Sequence, residues 1–299
     1  MMAGPVAKQK PRSTKGGIFI DYFYFYLMTG FRFLPVAPLP VLAPYVAKMY
    51  VFESGGRLPE ADRKLIVPNA NLKLTLTYSN GIAATIAGQT YRQAEHQLSL
   101  TGLIDTPVNL DPTEDRSTGT IIIEFYPLGA YRFFKLPYGE LQNQILDLQA
   151  LLGPVVRTLQ EQLGETETPE QKLELLQAFL LYRLSQTTAD PIFDYCMGKI
   201  TATNGLISVS QLEKETGYSS RWLHNKFSNH LGTGPKNLAE LLRFKQVYQA
   251  YTLDNQVKEN IYQYYHDQSH FLKAFKRFTG ATPTALREDN ELAARHYRA

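Results

Sequence analysis

The sequence predicts an α+β multidomain fold with a β-barrel-like N-terminal domain, a helical connector and an all-α C-terminal domain. Three observations predict it. Hydrophobic residues recur with period two before Pro137 and with a helical period after it, Gly-Pro and Thr-Pro breaks punctuate the helical part, and the last third repeats one helical pattern. With 299 residues, 44% hydrophobic and 20% charged, the chain can bury one large core or two moderate ones. That excludes a disordered or fibrous protein. Cys196 stands alone, so no intrachain disulfide forms, and no Cys/His cluster offers a zinc site. A reducing compartment, the cytoplasm, is expected.

Residues 1–17 carry Lys8, Lys10, Arg12 and Lys15 and are expected to be a disordered basic arm. In residues 18–34, Asp21 and Arg32 bracket an apolar stretch far short of the ~20 residues a spanning helix needs. No small-residue cleavage site follows it, so it is read as an aromatic strand, or as the product of a start codon placed too early, rather than as an anchor. The β-rich domain is placed at 18–138. Leu72, Leu74, Leu76 and Tyr78 alternate with Lys73, Thr75 and Thr77, as in a half-buried strand. Ser79-Asn80-Gly81 follows; Asn-Gly accepts the positive φ angles of a tight hairpin, with residues 82–87 as the returning strand. Further strands are expected at 48–53, 63–67, 97–104 and 119–126, in a barrel or jelly roll.

The connector is placed at 139–204. Leu141, Ile145, Leu148 and Leu152 keep a helical period until Gly153-Pro154. Helices are then expected at 155–163, 169–185 and 191–202, the second with Thr168 as N-cap, Pro169 at its first position and Glu170 in its first turn. Residues 205–290 form the last domain and 291–299 a tail.

The net charge is +3, unevenly spread. Residues 219–287 hold ten basic and four acidic side chains, a balance of +6 that leaves the remainder at −3. The C-terminal part is thus suited to a polyanion.

At an offset of 48 residues, 219–235 matches 267–283, so that Leu223, Phe227, Gly232 and Pro235 fall on Phe271, Phe275, Gly280 and Pro283. The apolar positions make a core stripe, and Gly-x-x-Pro ends one helix and sets up the next. At 100° per residue, Arg221, His224, Asn225 and Ser228 share the opposite face, and Ser269, Leu272, Lys273 and Lys276 share the equivalent one. A short helix at 209–215 and a turn at Gly217 precede the first copy, which is the order of a helix-turn-helix. The C-terminal domain is therefore predicted to be a double helix-turn-helix. A helix over 235–251 separates the copies by roughly 25 Å, against about 34 Å between successive major-groove faces.

The runs Ser219-Ser220-Arg221-Trp222-Leu223-His224-Asn225-Lys226-Phe227 and Asp267-Gln268-Ser269-His270-Phe271, with Phe275-Lys276-Arg277-Phe278 and Gly280-Ala281-Thr282-Pro283, resemble the paired helix-turn-helix domain of AraC/XylS transcriptional regulators. Residues 39–153 are similar to an N-terminal domain of some of these regulators, with Pro44-Tyr45-Val46 near its start and Ile123-Glu124-Phe125-Tyr126-Pro127-Leu128-Gly129 near its end. The resemblance implies a regulator that binds double-stranded promoter DNA and carries no catalytic residues and no cofactor. It implies base contacts from Arg221, His224 and Asn225 and from Gln268, Ser269 and Lys273. Lys226, Ser228 and Lys276 are expected on phosphates. A small-molecule effector in the N-terminal domain, RNA polymerase if the protein activates, and a second copy in a homodimer are the other partners it suggests.

Two departures from that family stand out. Glu259, Asn260 and Tyr264 replace an Ile-Ala pair and a turn glycine in the second unit, where a left-handed Tyr264 would be strained; either a residue or two is deleted, with Ile261 as substitute anchor, or the second unit is looser. Glu213 replaces a small residue in the first. Trp222 is expected to pack rather than touch bases, and Asp267 to cap the second reading helix. His266 and His270 have the spacing of a metal pair but no converging third ligand, and His96 has no nucleophile to serve. The alternative reading is a small-molecule-binding β-barrel protein whose helical tail serves protein interaction.

Overall fold

The computed structural model describes residues 31–55, 65–112, 117–135, 141–253 and 263–286. Expectations for the basic arm, the C-terminal tail and Glu259, Asn260 and Ile261 lie outside the described residues. The strands, in chain order, are β1 (Phe31–Val36), β2 (Val46–Ser54), β3 (Leu65–Ile66), β4 (Leu72–Ser79), β5 (Ile82–Ile86), β6 (Gln89–Arg92), β7 (Leu98–Thr101), β8 (Val108–Pro112), β9 (Thr118–Phe125) and β10 (Ile145–Asp147). They pair antiparallel into a six-stranded sheet, β1-β2-β9-β4-β7-β10, and a four-stranded one, β3-β8-β5-β6. The N-terminal region is thus sheet-rich, as expected, and among the described strands the pairing gives two sheets rather than a closed barrel.

Side-chain alternation decides what each face of the large sheet meets. Leu72, Leu74, Leu76, Ile121, Ile123 and Phe125 point to one side and join the main core with the helices. Tyr50 and Phe52 point to the other and, with Ile66, Ala84, Ile86, Ile104 and Val108, form a second apolar cluster between the sheets.

Two turn and helix expectations are also corrected. Asn80 does take a positive φ, 39°, but β4 and β5 are not hairpin partners. The turn instead hands the chain from one sheet to the other, and the tight hairpin follows at Ala87-Gly88 (φ 49° and 84°), between β5 and β6. The helix expected from Leu141 begins only at Leu148, because Ile145–Asp147 pairs with β7 and extends the sheet past residue 138.

The helices are α1 (Pro127–Phe134), α2 (Leu148–Leu152), α3 (Pro154–Glu165), α4 (Pro169–Ser185), α5 (Pro191–Ala202), α6 (Val209–Thr216), α7 (Ser220–Leu231), α8 (Pro235–Leu253), α9 (Gln268–Thr279) and α10 (Pro283–Leu286). Of these, α1 escaped the sequence pattern. Thr168 and Gln171 form the full capping box of α4. Among the described residues no helix is long and apolar enough to cross a membrane. At 1.5 Å per residue α8 is about 28 Å long. Its Leu238, Leu241, Phe244, Val247 and Tyr248 are buried in the core it shares with α7 and α9.

Candidate nucleic-acid interface

The first unit is built by caps. Gly217 ends α6 in the left-handed region (φ 76°), where a Cβ would be strained, and Ser219 then caps α7 by accepting from the Trp222 N–H. Glu213, one of the departures, accepts a hydrogen bond from the Ser220 N–H and so adds a carboxylate to the N-terminus of α7. Leu223, Phe227 and Leu231 are buried, which turns Arg221, His224 and Asn225 outward as exposed residues. His224 Nδ1 lies 3.4 Å from Ser228 Oγ, and its ring fills the space beside Gly234.

Lys226, expected on a phosphate, is engaged within the protein. Its ammonium pairs with Asp190, the N-cap of α5, and lies 5.4 Å from the Trp222 ring, which stacks on Tyr218 at 4.0 Å. His230 Nε2, 2.9 Å from the same carboxylate, stacks on Tyr131 of α1 at 4.3 Å. Burial pushes the Asp190 carboxyl up, but the hydrogen bonds from Lys226, His230 and the Phe193 N–H outweigh it and leave its pKa below the ordinary value. The rear of α7 is thereby fastened to α1 and α5.

In the second unit Asp267 caps α9, accepting from the His270 N–H at 2.7 Å, and that bond lowers its pKa. Phe271, Ala274, Phe275 and Phe278 are buried, whereas Gln268, Ser269, Lys273 and Lys276 are exposed. No hydrogen bond or ion pair among the described residues engages the side chains of Arg221, Asn225, Gln268, Ser269, Lys273 or Lys276. Tyr264 is not left-handed: residues 263–264 are helical. The following Tyr265 is 2% exposed and packs on Phe271 at 5.6 Å, giving the unit an aromatic anchor.

Sequence reasoning missed Arg277. It donates to Asp105 of the N-terminal domain at 2.9 Å, to Asn237 at 2.7 Å and to Glu240 at 3.2 Å. Its place, one turn beyond Lys273, was a readable signal, but nothing local to Asp105 marks that residue as its partner.

Between the two sheets lies a cavity of about 120 Å³, walled largely by Phe33, Tyr50, Phe52, Ile86, Ile104 and Ile122. Lys73, Thr75, Gln93, Thr101 and Thr120 are its polar lining, and the buried Thr120 Oγ1 has no hydrogen-bond partner. Lys73 Nζ is 3.8 Å from Glu124, a fully buried carboxylate that accepts from Asn69, Asn71 and Tyr50. Burial lowers the pKa of Lys245 on α8, and the charge of Glu124 acts in the other direction, so α8 lies within the electrostatic reach of this cluster. His96, half-buried with φ 61°, is not part of the cavity wall.

Residues 212–289 match the model of a helix-turn-helix domain, and residues 34–147 match that of a domain of unknown function, DUF6597. No curated protein matches the chain in sequence. Among solved structures, ToxT from Vibrio cholerae is similar at 15% identity over 80% of this chain and 96% of that one, with a TM-score of 0.44. ToxT with unsaturated fatty acid bound gives 15%, 83% and 97%, with a TM-score of 0.45. The cupin domain of Schizosaccharomyces pombe Cnp3 gives 9%, 33% and 66%, with a TM-score of 0.27. The helix-turn-helix match over residues 212–289 supports a DNA-binding regulator of transcription. Its helix-turn-helix domain is of the AraC type.

Proposed function

We propose that the chain reads promoter DNA sequence with α7 and α9 in adjacent major grooves. Arg221, His224 and Asn225 meet the bases of one groove, and Gln268, Ser269 and Lys273 those of the next. The observation that carries this reading is that both capped helices leave these side chains exposed, all but His224, which reaches Ser228, without a hydrogen bond or ion pair among the described residues. Arg221 suits guanine and Asn225 suits adenine by hydrogen-bond geometry. Lys276 and Ser228 serve the phosphates, whereas Lys226 supports the helix from behind through Asp190.

The cavity between the sheets supports a small-molecule effector of mostly apolar surface with one hydrogen-bonding group for Thr120. Its volume is of the order of a cavity that holds benzene. The protein works in the cytoplasm, on RNA polymerase if it activates, and as a homodimer if its sites are paired. Selection of bound duplexes from a random pool tests the reading. A consensus with two half-sites one helical turn apart is expected, and recovery of no consensus, or no retardation of any duplex at low salt, would sink it.

A further inference from the structure

The N-terminal domain places one carboxylate among the polar groups of the DNA-binding domain. Asp105 Oδ2 accepts from Arg277 at 2.9 Å, from Asn237 at 3.0 Å and from Gln142 at 2.7 Å, while Oδ1 accepts from Asn143 at 2.7 Å. The Asp105 side chain is 8% exposed, whereas that of Arg277 is 43% exposed. Nearby, Pro107 presses so close to the end of α9 that a Cβ on Gly280 would lie 3.3 Å from it.

The crevice where this happens, about 680 Å³, is walled by His224 and Ser228 of the first reading helix, Lys236, Asn237 and Glu240 on α8, and Arg277 of the second reading helix, whose other guanidinium nitrogen pairs with Glu240 at 3.2 Å. Along α9, Arg277 stands about 40° around from Lys273, so it continues the exposed basic stripe. A guanidinium and an amide N–H converging on one oxygen form a phosphate-recognition pattern. The groups come from both reading helices and from the helix between them. A DNA backbone passing from one groove to the next would run there.

We propose that this crevice is a seat for a DNA phosphate, formed by Arg277 and Asn237, and that Asp105 occupies it as an internal phosphate mimic. The N-terminal domain thereby holds the DNA-binding domain in a restrained state, and DNA must displace Asp105 to complete its contacts. Ile104 lines the cavity between the sheets while the adjacent Asp105 holds Arg277, so one short segment touches both the effector cavity and the seat. The proposal rests on the DNA-binding reading above but concerns a phosphate, so it is independent of base sequence.

The test is fluorescence anisotropy of the full chain on a random-sequence duplex across a salt series. One added phosphate contact steepens the salt slope by about 0.9, worth roughly eightfold in affinity at 0.1 M salt. Asp105→Asn, which removes the charge and keeps an acceptor, should show that gain. Asp105→Asn combined with Arg277→Gln should lose it. An unchanged slope in a folded Asp105→Asn protein overturns the proposal, and if Arg221→Ala still weakens binding to a selected duplex, the DNA reading survives that failure. No binding of random or selected duplex by any variant overturns both. Independently of any substitution, amide exchange in residues 102–107 of the unaltered protein should quicken when a selected duplex, bound tightly enough to displace Asp105, is added, and unaltered exchange there overturns the proposal.

Discussion

The two helix-turn-helix units share one sequence pattern but are fastened to the rest of the chain from opposite sides. The first is held from behind: Lys226 and His230 reach Asp190, and Tyr131 stacks on His230, so its outer face is left to Arg221, His224 and Asn225. The second is held from the front, through Arg277 and the contact of Pro107 with Gly280. A rear anchor fixes a reading helix without competing for DNA. A front anchor, on the proposal above, uses the cation that a DNA phosphate would take. The two units thus share a pattern, and the N-terminal domain engages them differently.

The largest expected effect tests whether both units are equally well packed. Phe227 meets Phe193 of α5 at 5.0 Å, and Phe275 meets Phe244 and Tyr248 of α8 at 5.9 and 6.0 Å, both fully buried. Phe227→Ala and Phe275→Ala should each cost about 3–5 kcal/mol in denaturant unfolding. A cost below about 1 kcal/mol for Phe275→Ala alone would show the second unit to be loosely packed and would break the comparison.

Next in size is the base contact. Arg221→Ala should cost about 1–3 kcal/mol on the selected duplex and relax one base preference. Equal losses on selected and random DNA would remove Arg221 from the bases.

The helix ends sharpen the difference further. Gly217 and Gly280 both cap helices with positive φ, 76° and 75°, so Ala at either carries the left-handed cost of about 1–2 kcal/mol. Around Gly217 a Cβ meets nothing within 4 Å, whereas at Gly280 it meets Pro107. Gly280→Ala should therefore destabilise more than Gly217→Ala in thermal unfolding. The reverse order would argue against pressure from the N-terminal domain.

What the sequence revealed, and what it hid, follows the same division between local and distant causes. Thr168 and Asp267 were legible as caps because each hydroxyl or carboxylate bonds an amide three residues on. The positive φ at Asn80 was legible too, but the strand that Ile82–Ile86 pairs with was not, since pairing is decided by the whole sheet. Leu141, Ile145, Leu148 and Leu152 satisfied a helical period, yet pairing with β7 claimed Ile145–Asp147. In the site, exposure of Arg221 and Lys273 followed from the stripe of apolar positions behind them. The engagement of Lys226 and Arg277 did not, because Asp190 and Asp105 are remote in sequence and only the tertiary fold brings them close.

The smallest effects concern the lysines that the pattern treats alike. Lys276 is exposed and Lys226 is tied to Asp190. Lys276→Ala should lower the salt slope by about one on any duplex, while Lys226→Ala should leave it unchanged. The role of Lys226 should appear instead in the pH dependence of stability. The pKa of Asp190 is lower in the folded protein than its ordinary 3.8, so the folded state releases its proton more readily and the carboxylate stabilises the fold above that pH. As pH falls through the folded value both states become protonated and the contribution is lost. Unfolding midpoints of the unaltered protein and Asp190→Asn should thus differ by a constant amount above about pH 5 and converge below about pH 4. A gap that stays open at low pH would mean that packing around residue 190, rather than its charge, holds the rear of α7 in place.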